Sequence, residues 1–372
     1  MANQTVFIPF EVLSCLAADV LKCLGVPDED AAICADILIE ANKRGIDSHG
    51  IARLKAYFYD RIKQGIQHPV THFEILREAP TTAVVDGHDG MGMVISKRSM
   101  DIAIAKARAY GMGMVAARNS THYGIAGYYV SMAINAGMIG VTGTNSRPAV
   151  APTFGVENML GTNPLTFGIP SDEEFPFILD CATSLASVGK IELCASEGEE
   201  TPPNWVRGDD GKIRTDSATI LSDLRRGKAA LAPLGGFGEE DAGYKGYGYG
   251  TVVEILSAAL QGGAFLKALN GIDANGRPQP LHTGHFFIAI NVDAFTELAT
   301  FKKTTGDILR SLRNSKRAPG RARIYTAGEK EHLAYQARRK AGVPITLPLQ
   351  QELRTMIHEL NLRQYHFKFL DN

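Results

Sequence analysis

The chain has 372 residues, of which 45% are hydrophobic and 21% are charged, proportions typical of a soluble globular protein. Its 39 basic and 40 acidic residues give a formal net charge of −1, which favours neither nucleic acid nor an anionic membrane as a partner. Five cysteines without C-x-x-C spacing argue against a disulfide framework or a zinc site, and no metal is predicted. The first residues lack a secretory signal and no apolar run approaches the roughly 20 residues of a membrane span, so a cytoplasmic protein is expected.

The first third of the chain is predicted to begin with helices. Apolar residues spaced by three and four predict a helix over 9–25, and Pro27 with the acidic residues after it predicts the start of a second helix over 31–44. Asp47 or Ser48 is a suitable cap for a third helix over 50–63. An extended stretch (72–79), a strand (82–86), an alanine-rich helix (94–110) and a buried strand (112–117) are predicted to follow.

The remaining elements alternate strands with turns and end in helices. Strands are predicted over 139–143, 165–169, 177–180 and 285–292, and helices over 125–136, 182–193, 251–269, 294–314, 329–341 and 348–360. The polar segment 196–217 around Trp205 is predicted to be a surface loop. The glycine-rich segment 233–249 is too long for a simple turn, and such glycine density lets backbone approach a ligand or another backbone closely.

The glycine fingerprint of a dinucleotide-binding Rossmann fold is missing. That fingerprint, G-x-G-x-x-G, lies between a first strand and a helix. Gly90-Met-Gly92 lacks the third glycine, and Gly111-Met-Gly113 runs from a helix into a strand, which is the reverse order. The sequence also contains no Walker A, H-E-x-x-H or G-x-S-x-G motif.

His122 is the first candidate catalytic residue. It lies in the polar turn Arg118-Asn-Ser-Thr-His-Tyr-Gly124, between a predicted buried strand and a predicted helix. Such junctions often carry function because a rigid scaffold holds them, and histidine ionises near neutral pH. A histidine that only satisfies the turn or caps the next helix fits the same pattern.

Further candidates lie in three other segments. His49, Arg53 and Tyr57 are spaced by four residues, which places an imidazole, a guanidinium and a phenol on one helix face; a solvent-facing polar surface is the alternative. The turns 144–148 and 161–164 offer N–H groups to anions or are simply turns. Asp180 ends an apolar strand, so it is expected to be half-buried, where a carboxylate can orient a catalytic histidine.

These motifs together resemble the malate/L-lactate dehydrogenase family, which is unrelated to the Rossmann-type lactate and malate dehydrogenases. The resemblance covers roughly residues 8–350 and rests on Ser-His-Gly followed by Arg53, the turn at His122, Gly-Thr-Asn-Pro, Asp-x-Ala-Thr-Ser and Gly-Tyr-Lys-Gly-Tyr-Gly in one order. It implies a mixed α/β (α+β) fold with a non-Rossmann cofactor-binding domain, a mixed and largely antiparallel sheet, and a helical region formed by the N- and C-terminal segments. The expected domain segments are 1–75 with 295–372, 76–120 as a link, and 121–294 for the cofactor.

The resemblance also implies roles for individual residues. His122 becomes the acid/base, Ser48, His49 and Asp180 match a proposed proton relay, and Arg53 and Tyr57 match carboxylate-binding positions, with Arg147 as a second cation that would favour malate. The cofactor, NAD or NADP, is expected at His122, Ser146, Pro148, Thr162, Asp180, Ala182, Thr183, Leu234, Gly235, Gly236, Arg313 and Glu329. Two departures from the family pattern, at 325–329 and 237–242, fall on the cofactor side of this assignment.

The expected reaction is hydride transfer between the nicotinamide and C2 of a small-molecule 2-hydroxy or 2-oxo acid, with L-malate and oxaloacetate first. L-lactate, ureidoglycolate, diketogulonate and cyclic imino acids such as piperideine-2-carboxylate are alternatives, and a homodimer with sites at its interface is implied by the resemblance. A catalytically inactive ligand-binding relative is a different class. A serine hydrolase using Ser48, His49 and Asp180 is disfavoured because adjacent residues of an α-helix point about 100° apart.

Overall fold

The computed structural model describes residues 5–370, so the outermost residues of the predicted terminal region, 1–4 and 371–372, lie outside the description. The strands are β1 (Val6–Ile8), β2 (Glu74–Glu78), β3 (Thr82–Asp86), β4 (Met112–Ser120), β5 (Met138–Thr144), β6 (Leu165–Ile169), β7 (Phe177–Cys181), β8 (Val206–Gly208), β9 (Ile213–Arg214), β10 (Ala229–Leu231), β11 (Thr283–Asn291) and β12 (Val343–Ile345). The α-helices are α1 (Phe10–Cys23), α2 (Asp28–Lys43), α3 (Asp60–Lys63), α4 (Gly92–Tyr110), α5 (Ala126–Asn135), α6 (Val188–Glu197), α7 (Ser217–Arg226), α8 (Gly243–Ala258), α9 (Leu298–Arg313), α10 (Glu329–Ala341) and α11 (Leu347–Glu359).

A seven-stranded mixed sheet in the order β2-β3-β4-β11-β5-β6-β7 organises the molecule. The β3–β4 pair is parallel, and the other neighbouring pairs are antiparallel. The predicted mixed, largely antiparallel sheet is therefore confirmed. Strand β11 comes from late in the chain and inserts between β4 and β5, where His285 is in register with Ala117 on one side and Thr144 on the other.

The sheet is covered on both faces. Successive residues of a strand point to opposite faces, so Phe287 packs with α4 and α5 whereas Phe286 packs with Val253 of α8. Helices α1 and α2 complete the first layer, and the C-terminal helix α11 contributes Leu353, among others, to the same core. This arrangement confirms the predicted helical region built from both ends of the chain. None of the helices in residues 5–370 is long and apolar enough to cross a bilayer.

Several short elements were not predicted. Strands β1 and β12 pair antiparallel, and the ribbon β10-β8-β9 packs with α6 and α7 around a second small core. The predicted surface loop over 196–217 is therefore wrong in part, because β8 and β9 form a hairpin within it. Strands of two or three residues carry too little alternation to be recognised from hydrophobic periodicity.

The third predicted helix is not a regular α-helix. It consists of two 3₁₀ turns (Asp47–His49 and Ile51–Arg53), a π-turn (Lys55–Tyr59) and α3. The buried amide of Asn42 interrupts it by donating to Asp47 at 2.7 Å and accepting from the Ile51 N–H at 2.8 Å. Gly50 permits this insertion, since a Cβ there would lie 2.2 Å from Asn42 Oδ1.

Other predicted helix boundaries are also wrong. The helix expected over 182–193 begins only at Val188, because both backbone groups of Thr183 pair with neighbouring segments, its N–H with Thr162 O at 3.0 Å and its carbonyl with the Leu234 N–H at 2.8 Å. The helix expected over 251–269 is displaced to α8, which takes up part of the glycine-rich segment. The glycines allow close packing, since a Cβ at Gly246 would lie 2.2 Å from Leu234 O.

Candidate active site

His122 lies in a turn that is locked between β4 and α5. The hydroxyl of Thr121 donates to Gly90 O and accepts from the Gly92 N–H, both at 2.9 Å, which ties the turn to the start of α4. Gly124 adopts a φ of +80° and fits against Ile37, where a Cβ would be 2.6 Å from Cγ2. The backbone around His122 is therefore fixed by helices on two sides.

Aromatic rings from the irregular 47–63 segment surround His122. Its ring centroid lies 4.5 Å from that of Tyr57, 5.8 Å from that of His49 and 6.3 Å from that of Phe58. Burial holds the pKa of His122 well below its usual range, and His49 and Arg53 act in the same direction. His122 is consequently neutral at pH 7.

One nitrogen of His122 is engaged by the protein. Nδ1 accepts the Gly124 N–H at 3.2 Å, so the neutral ring carries its proton on Nε2. Nε2 has no hydrogen-bond partner within residues 5–370 and is the atom available to a substrate oxygen. An imidazolium would place an N–H against the Gly124 N–H, so full protonation requires the ring to leave this contact.

Ser48 and His49 form a hydrogen bond, contrary to the sequence-based expectation. Ser48 Oγ lies 2.9 Å from His49 Nδ1. The pair lies in an isolated 3₁₀ turn, not in the regular α-helix that the 100° argument assumed. Burial, followed by the Arg53 charge, lowers the pKa of His49 to about 4, so this ring is also neutral at pH 7.

Arg53 is held beside the same ring cluster. Its Nε donates to Ser48 O, and its guanidinium carbon lies 5.2 Å from the Tyr57 ring centroid. The carboxylate of Glu192, on α6, is 3.6 Å away and half-exposed. Gly189 brings the first turn of α6 against Arg53, since a Cβ there would lie 3.3 Å from its Nη2. A substrate carboxylate would compete with Glu192 for this guanidinium.

Arg61 was missed by the sequence-based prediction. It continues the spacing of His49, Arg53 and Tyr57 by four further residues, and its charge contributes to the lowered pKa of His122. Its Nη2 is buried without a hydrogen-bond partner. The regular spacing was the signal that could have identified it. Arg147, predicted as a second cation, is exposed on the turn after β5 and also lowers the pKa of Arg61.

Several predicted cofactor residues lie on adjoining segments. Besides the backbone bonds of Thr183 to Thr162 and Leu234, its hydroxyl donates to Asn163 O at 3.0 Å. We call these joined turns, at Thr162, Thr183 and Leu234, the Thr183 layer. Ser146 adjoins this layer, because a Cβ on Gly161 would lie 2.2 Å from its Oγ. Pro148 is buried and Ala182 half-buried in the same turns.

Two successive glycines extend this layer into a turn. Gly235 and Gly236 have φ values of +97° and +99°, conformations that favour glycine, and they follow Leu234, which is 47% exposed. The Gly236 and Leu234 N–H groups donate to Pro233 O and Thr183 O, whereas the Gly235 N–H and the hydroxyls of Ser146 and Thr162 make no hydrogen bond within residues 5–370. These free donors suit the ribose and phosphate oxygens of a dinucleotide. The donor set therefore fits a nicotinamide cofactor without a Rossmann glycine motif.

Comparisons with known proteins agree with this geometry. The family model described as malate/L-lactate dehydrogenase matches residues 8–354. A malate dehydrogenase of Pyrococcus abyssi is 43% identical over 96% of this chain and 95% of its own length, and an L-sulfolactate dehydrogenase of Methanocaldococcus jannaschii is 38% identical over 93% and 95%. The crystal structure of malate dehydrogenase from Entamoeba histolytica superposes with a TM-score of 0.94 at 44% identity, covering 96% of this chain and 99% of that one.

The chain belongs to the malate/L-lactate dehydrogenase family. It is therefore an oxidoreductase of the hydroxyacid dehydrogenase class, and membership of this dehydrogenase family implies a nicotinamide cofactor. The predicted family and enzyme class are confirmed. The hydrolase alternative is set aside on this ground, even though Ser48 and His49 are hydrogen-bonded.

Within this dehydrogenase fold, Asp180 does not contact a histidine among the described residues. One carboxylate oxygen accepts the Gly127 N–H at 2.7 Å and the other accepts the Thr166 hydroxyl at 3.0 Å. Gly127 belongs to the first turn of α5, so Asp180 satisfies a free helical N–H and is favoured by the helix dipole. Burial nevertheless raises its pKa. The expected orientation of His122 by Asp180 is therefore wrong in its geometry.

Arg313 and Glu329 form a network apart from the Thr183 layer. Arg313 pairs with Glu173 and bonds the Thr326 hydroxyl at 3.2 Å, while the buried Glu329 pairs with Arg323 and accepts the Thr326 N–H at 3.2 Å. No hydrogen bond or ion pair among the described residues joins this network to Ser146, Thr183 or Leu234. Its charges are already neutralised by protein partners.

Two further histidine features were not anticipated. His285 is buried at the centre of the sheet, bonded to Thr144 at 2.7 Å and Ser120 at 2.8 Å, and burial lowers its pKa to about 3. At the surface, nitrogen and oxygen atoms of His72, Glu74 and His88 lie within 4.8 Å of one another, in a geometry that a metal ion can use. This surface group shares no residue with the site around His122.

Proposed function

We propose that this protein interconverts L-malate and oxaloacetate with NAD or NADP. The observation that carries the proposal is that Arg53 and His122 both lie against the Tyr57 ring, which places a carboxylate-binding guanidinium near a neutral histidine. The similarity to a relative that is named malate dehydrogenase supports the choice among 2-hydroxy acids.

Arg53 would bind the C1 carboxylate of the substrate. A guanidinium offers two parallel N–H groups that match a carboxylate, and the Tyr57 ring limits its motion. Binding displaces Glu192, whose half-exposed carboxylate is screened by water and exchanges at low cost. This contact fixes C2 next to His122, which is the positional part of catalysis.

His122 would exchange a proton with the substrate oxygen at Nε2. With Nδ1 bonded to the Gly124 N–H, the Nε2–H donates to the carbonyl oxygen of oxaloacetate and stabilises its developing negative charge. As this proton passes to the oxygen, the ring takes up a proton from solvent, so that no imidazolate remains. When bound, the reduced nicotinamide supplies the hydride to C2. In the direction of malate oxidation, Nε2 has to lose its proton before it accepts the hydroxyl proton, and the ring has to leave its contact with the Gly124 N–H if Nδ1 is to carry a proton. Ser48 and His49 beside the ring are the candidate relay.

The cofactor would occupy the layer formed by Ser146, Thr162, Thr183 and the Leu234–Gly236 turn, within the segment 121–294 that we assign to the cofactor. The hydroxyls of Ser146 and Thr162, which make no hydrogen bond within residues 5–370, and the positive φ values of the two glycines support this placement. Arg313 and Glu329 are weaker candidates, because their charges pair with Glu173 and Arg323. The layer bears no feature that selects between NAD and NADP.

We also propose a homodimer in the cytoplasm. Helix α8 carries an apolar face in which Tyr249, Val252 and Ile255 are 58%, 48% and 54% exposed, a pattern typical of surfaces covered by another chain. The five cysteines are all free, which suits a reducing compartment. Activity that survives dilution to a proven monomer would contradict a site built by both subunits.

The test follows absorbance of the reduced nicotinamide with oxaloacetate, pyruvate, a diketogulonate and a cyclic imino acid, each offered with NADH and NADPH; ureidoglycolate is offered with NAD⁺ and NADP⁺. We expect oxaloacetate to give the highest kcat/KM. Turnover of another compound alone would keep the dehydrogenase class and reject malate. Cofactor binding without any turnover would point to the ligand-binding alternative.

A further inference from the structure

Arg61 and Arg53 lie at equal distances along the chain from Tyr57. Arg61 follows Tyr57 by four residues, just as Arg53 precedes it by four, and the π-turn Lys55–Tyr59 lies between the two arginines. π-Turns within helices occur frequently at functional sites because they re-aim side chains. The Tyr57 ring, which packs on His122 at a centroid distance of 4.5 Å, therefore has a guanidinium on either side along the chain.

The guanidinium of Arg61 lacks a partner within residues 5–370. Its Nη2 is buried and makes no hydrogen bond, and no carboxylate oxygen in residues 5–370 lies within 4.0 Å of its guanidinium nitrogens. Buried charges in proteins are normally paired, because removing an ion from water without compensation costs several kcal/mol. Two other half-buried arginines follow that rule, since Arg118 pairs with Asp86 at 2.8 Å and Arg338 with Asp47 at 2.6 Å. Arg207, which also has a buried unpaired nitrogen, lies over the Phe237 ring at 4.2 Å instead.

The charges around Arg61 do not compensate it. Burial lowers its pKa, Tyr57 acts against this shift, and the neighbouring Arg147 acts with it. Asp89 is the carboxylate in its surroundings, but that group is bonded to His282 Nδ1 at 2.8 Å and makes no ion pair with Arg61. Arg147 likewise has no ion pair in the described part of the chain. Arg61 therefore carries a positive charge that no ion pair in residues 5–370 neutralises, with a second cation, Arg147, acting on it and with His122 within reach of its field.

We propose that Arg61, assisted by Arg147, binds a second anionic group of the substrate, distal to the carboxylate held by Arg53. The proposal rests on the function proposed above and narrows its substrate class to 2-hydroxy and 2-oxo acids that carry a carboxylate or a sulfonate on C3. Both groups present several oxygens to a guanidinium. The substrate thus spans Tyr57, with C2 beneath His122 and one anionic end at each arginine.

Selectivity against monocarboxylates follows from the same geometry. Bound pyruvate would leave the Arg61 guanidinium unpaired, whereas the second anionic group of oxaloacetate or 3-sulfopyruvate would pair with it. A site with a buried polar group rejects an analogue that lacks the matching partner much more strongly than an apolar pocket rejects a missing methylene. Arg61 is therefore a specificity-determining residue rather than an acid or base.

The test compares kcat/KM of the wild type, Arg61→Met, Arg61→Lys and the exposed control Arg108→Met on oxaloacetate, 3-sulfopyruvate and pyruvate. We expect Arg61→Met to lose about 100-fold or more on the dianionic acceptors, the factor that one charge-assisted contact supplies, and less than about threefold on pyruvate. Arg61→Lys should recover part of the loss, and Arg108→Met should match the wild type. The two dianionic acceptors separate a carboxylate from a sulfonate partner.

A binding measurement that needs no turnover accompanies the kinetics. D-malate, a dicarboxylate of the unreactive hand, should raise the melting temperature of the wild type with cofactor present, and the increase should disappear in Arg61→Met. Without ligand, Arg61→Met should melt no lower than the wild type, because the substitution removes a buried unpaired charge.

The outcomes are distinguishable. Equal losses on pyruvate and oxaloacetate in Arg61→Met, or no loss on either, would overturn the role of Arg61 and leave the dehydrogenase proposal intact. A wild type that reduces pyruvate as well as oxaloacetate would also overturn it. A wild type that reduces none of the three acids would refute the proposed function, and an intact D-malate shift in Arg61→Met would then refute the anion site independently.

Discussion

Arg61 and Arg313 are both shielded arginines in helices, but their surroundings are opposite. Arg313 is 15% exposed, pairs with Glu173, bonds Thr326 and stacks on Phe175 with its guanidinium carbon 5.5 Å from the ring centroid. Arg61 has a buried nitrogen with no partner and a second cation nearby. A charge that the protein satisfies stabilises the fold, whereas a charge that it leaves unsatisfied beside a neutral histidine indicates a ligand site.

Removal of the imidazole of His122 should give the largest effect, a loss of kcat. We expect His122→Gln to lower kcat about 1,000-fold, because positioned acid–base groups typically contribute factors of 10² to 10⁴. Steady-state rates with oxaloacetate and malate measure the loss, and His366→Gln, at an exposed position, is the control. A variant that keeps a tenth of the wild-type kcat would remove His122 from the proton transfer.

Replacement of Arg53 should affect substrate binding more than the chemical step. For Arg53→Lys we expect kcat/KM to fall about 100-fold, mainly through KM, since an ammonium cannot reproduce the parallel contacts of a guanidinium. Glu192→Gln should act in the opposite direction and lower KM a few-fold, because it removes the competing carboxylate. If the two variants changed KM in the same direction, the competition between Glu192 and substrate would be refuted.

A substitution in the Arg313 network should lower the stability of the protein rather than its activity. Glu173→Gln leaves Arg310 and Arg313 without the carboxylate that they share. The side chains of Glu173 and Arg313 are only 13% and 15% exposed, so water screens this ion pair little. We expect the free energy of unfolding to fall by about 3 kcal/mol, with kcat nearly unchanged. Urea denaturation measures the loss. Glu174→Gln, at a position whose side chain is 85% exposed, should cost less than about 0.5 kcal/mol.

Between pH 7.5 and 5, His285 should make the smallest contribution to stability, and this contribution depends on pH. Because burial lowers its folded pKa to about 3 from 6.5, the unfolded chain binds more protons between these values. Stability is therefore fully present above pH 6.5 and falls as the pH decreases towards 3, by up to about 1.4 kcal/mol per pH unit. Urea denaturation at pH 7.5, 6 and 5 should show a flatter dependence for His285→Gln. An unchanged slope, with the exposed His358→Gln as control, would show that this ring does not titrate as proposed.

The local sequence determined much of the site. A buried strand followed by a polar turn and a helix predicted the frame of His122, although β4 extends three residues further, to Ser120. Spacing by four predicted that His49, Arg53 and Tyr57 share a face, and the centroid distances to His122 agree for the two aromatic rings. Such patterns can be recognised in the sequence because the period of apolar residues, two in a strand and about 3.6 in a helix, is set by residues that are close along the chain.

The tertiary structure decided what the same residues contact. Asp180 lies at the end of its predicted strand, yet its oxygens are taken by Gly127 and Thr166 from other elements. His285 reaches the centre of the sheet only because β11 inserts between β4 and β5, about 140 residues after β5. Asn42 breaks the third helix through a side-chain contact with the Ile51 N–H. These features depend on which distant segments pack together, and hydrophobic periodicity carries no information about that choice.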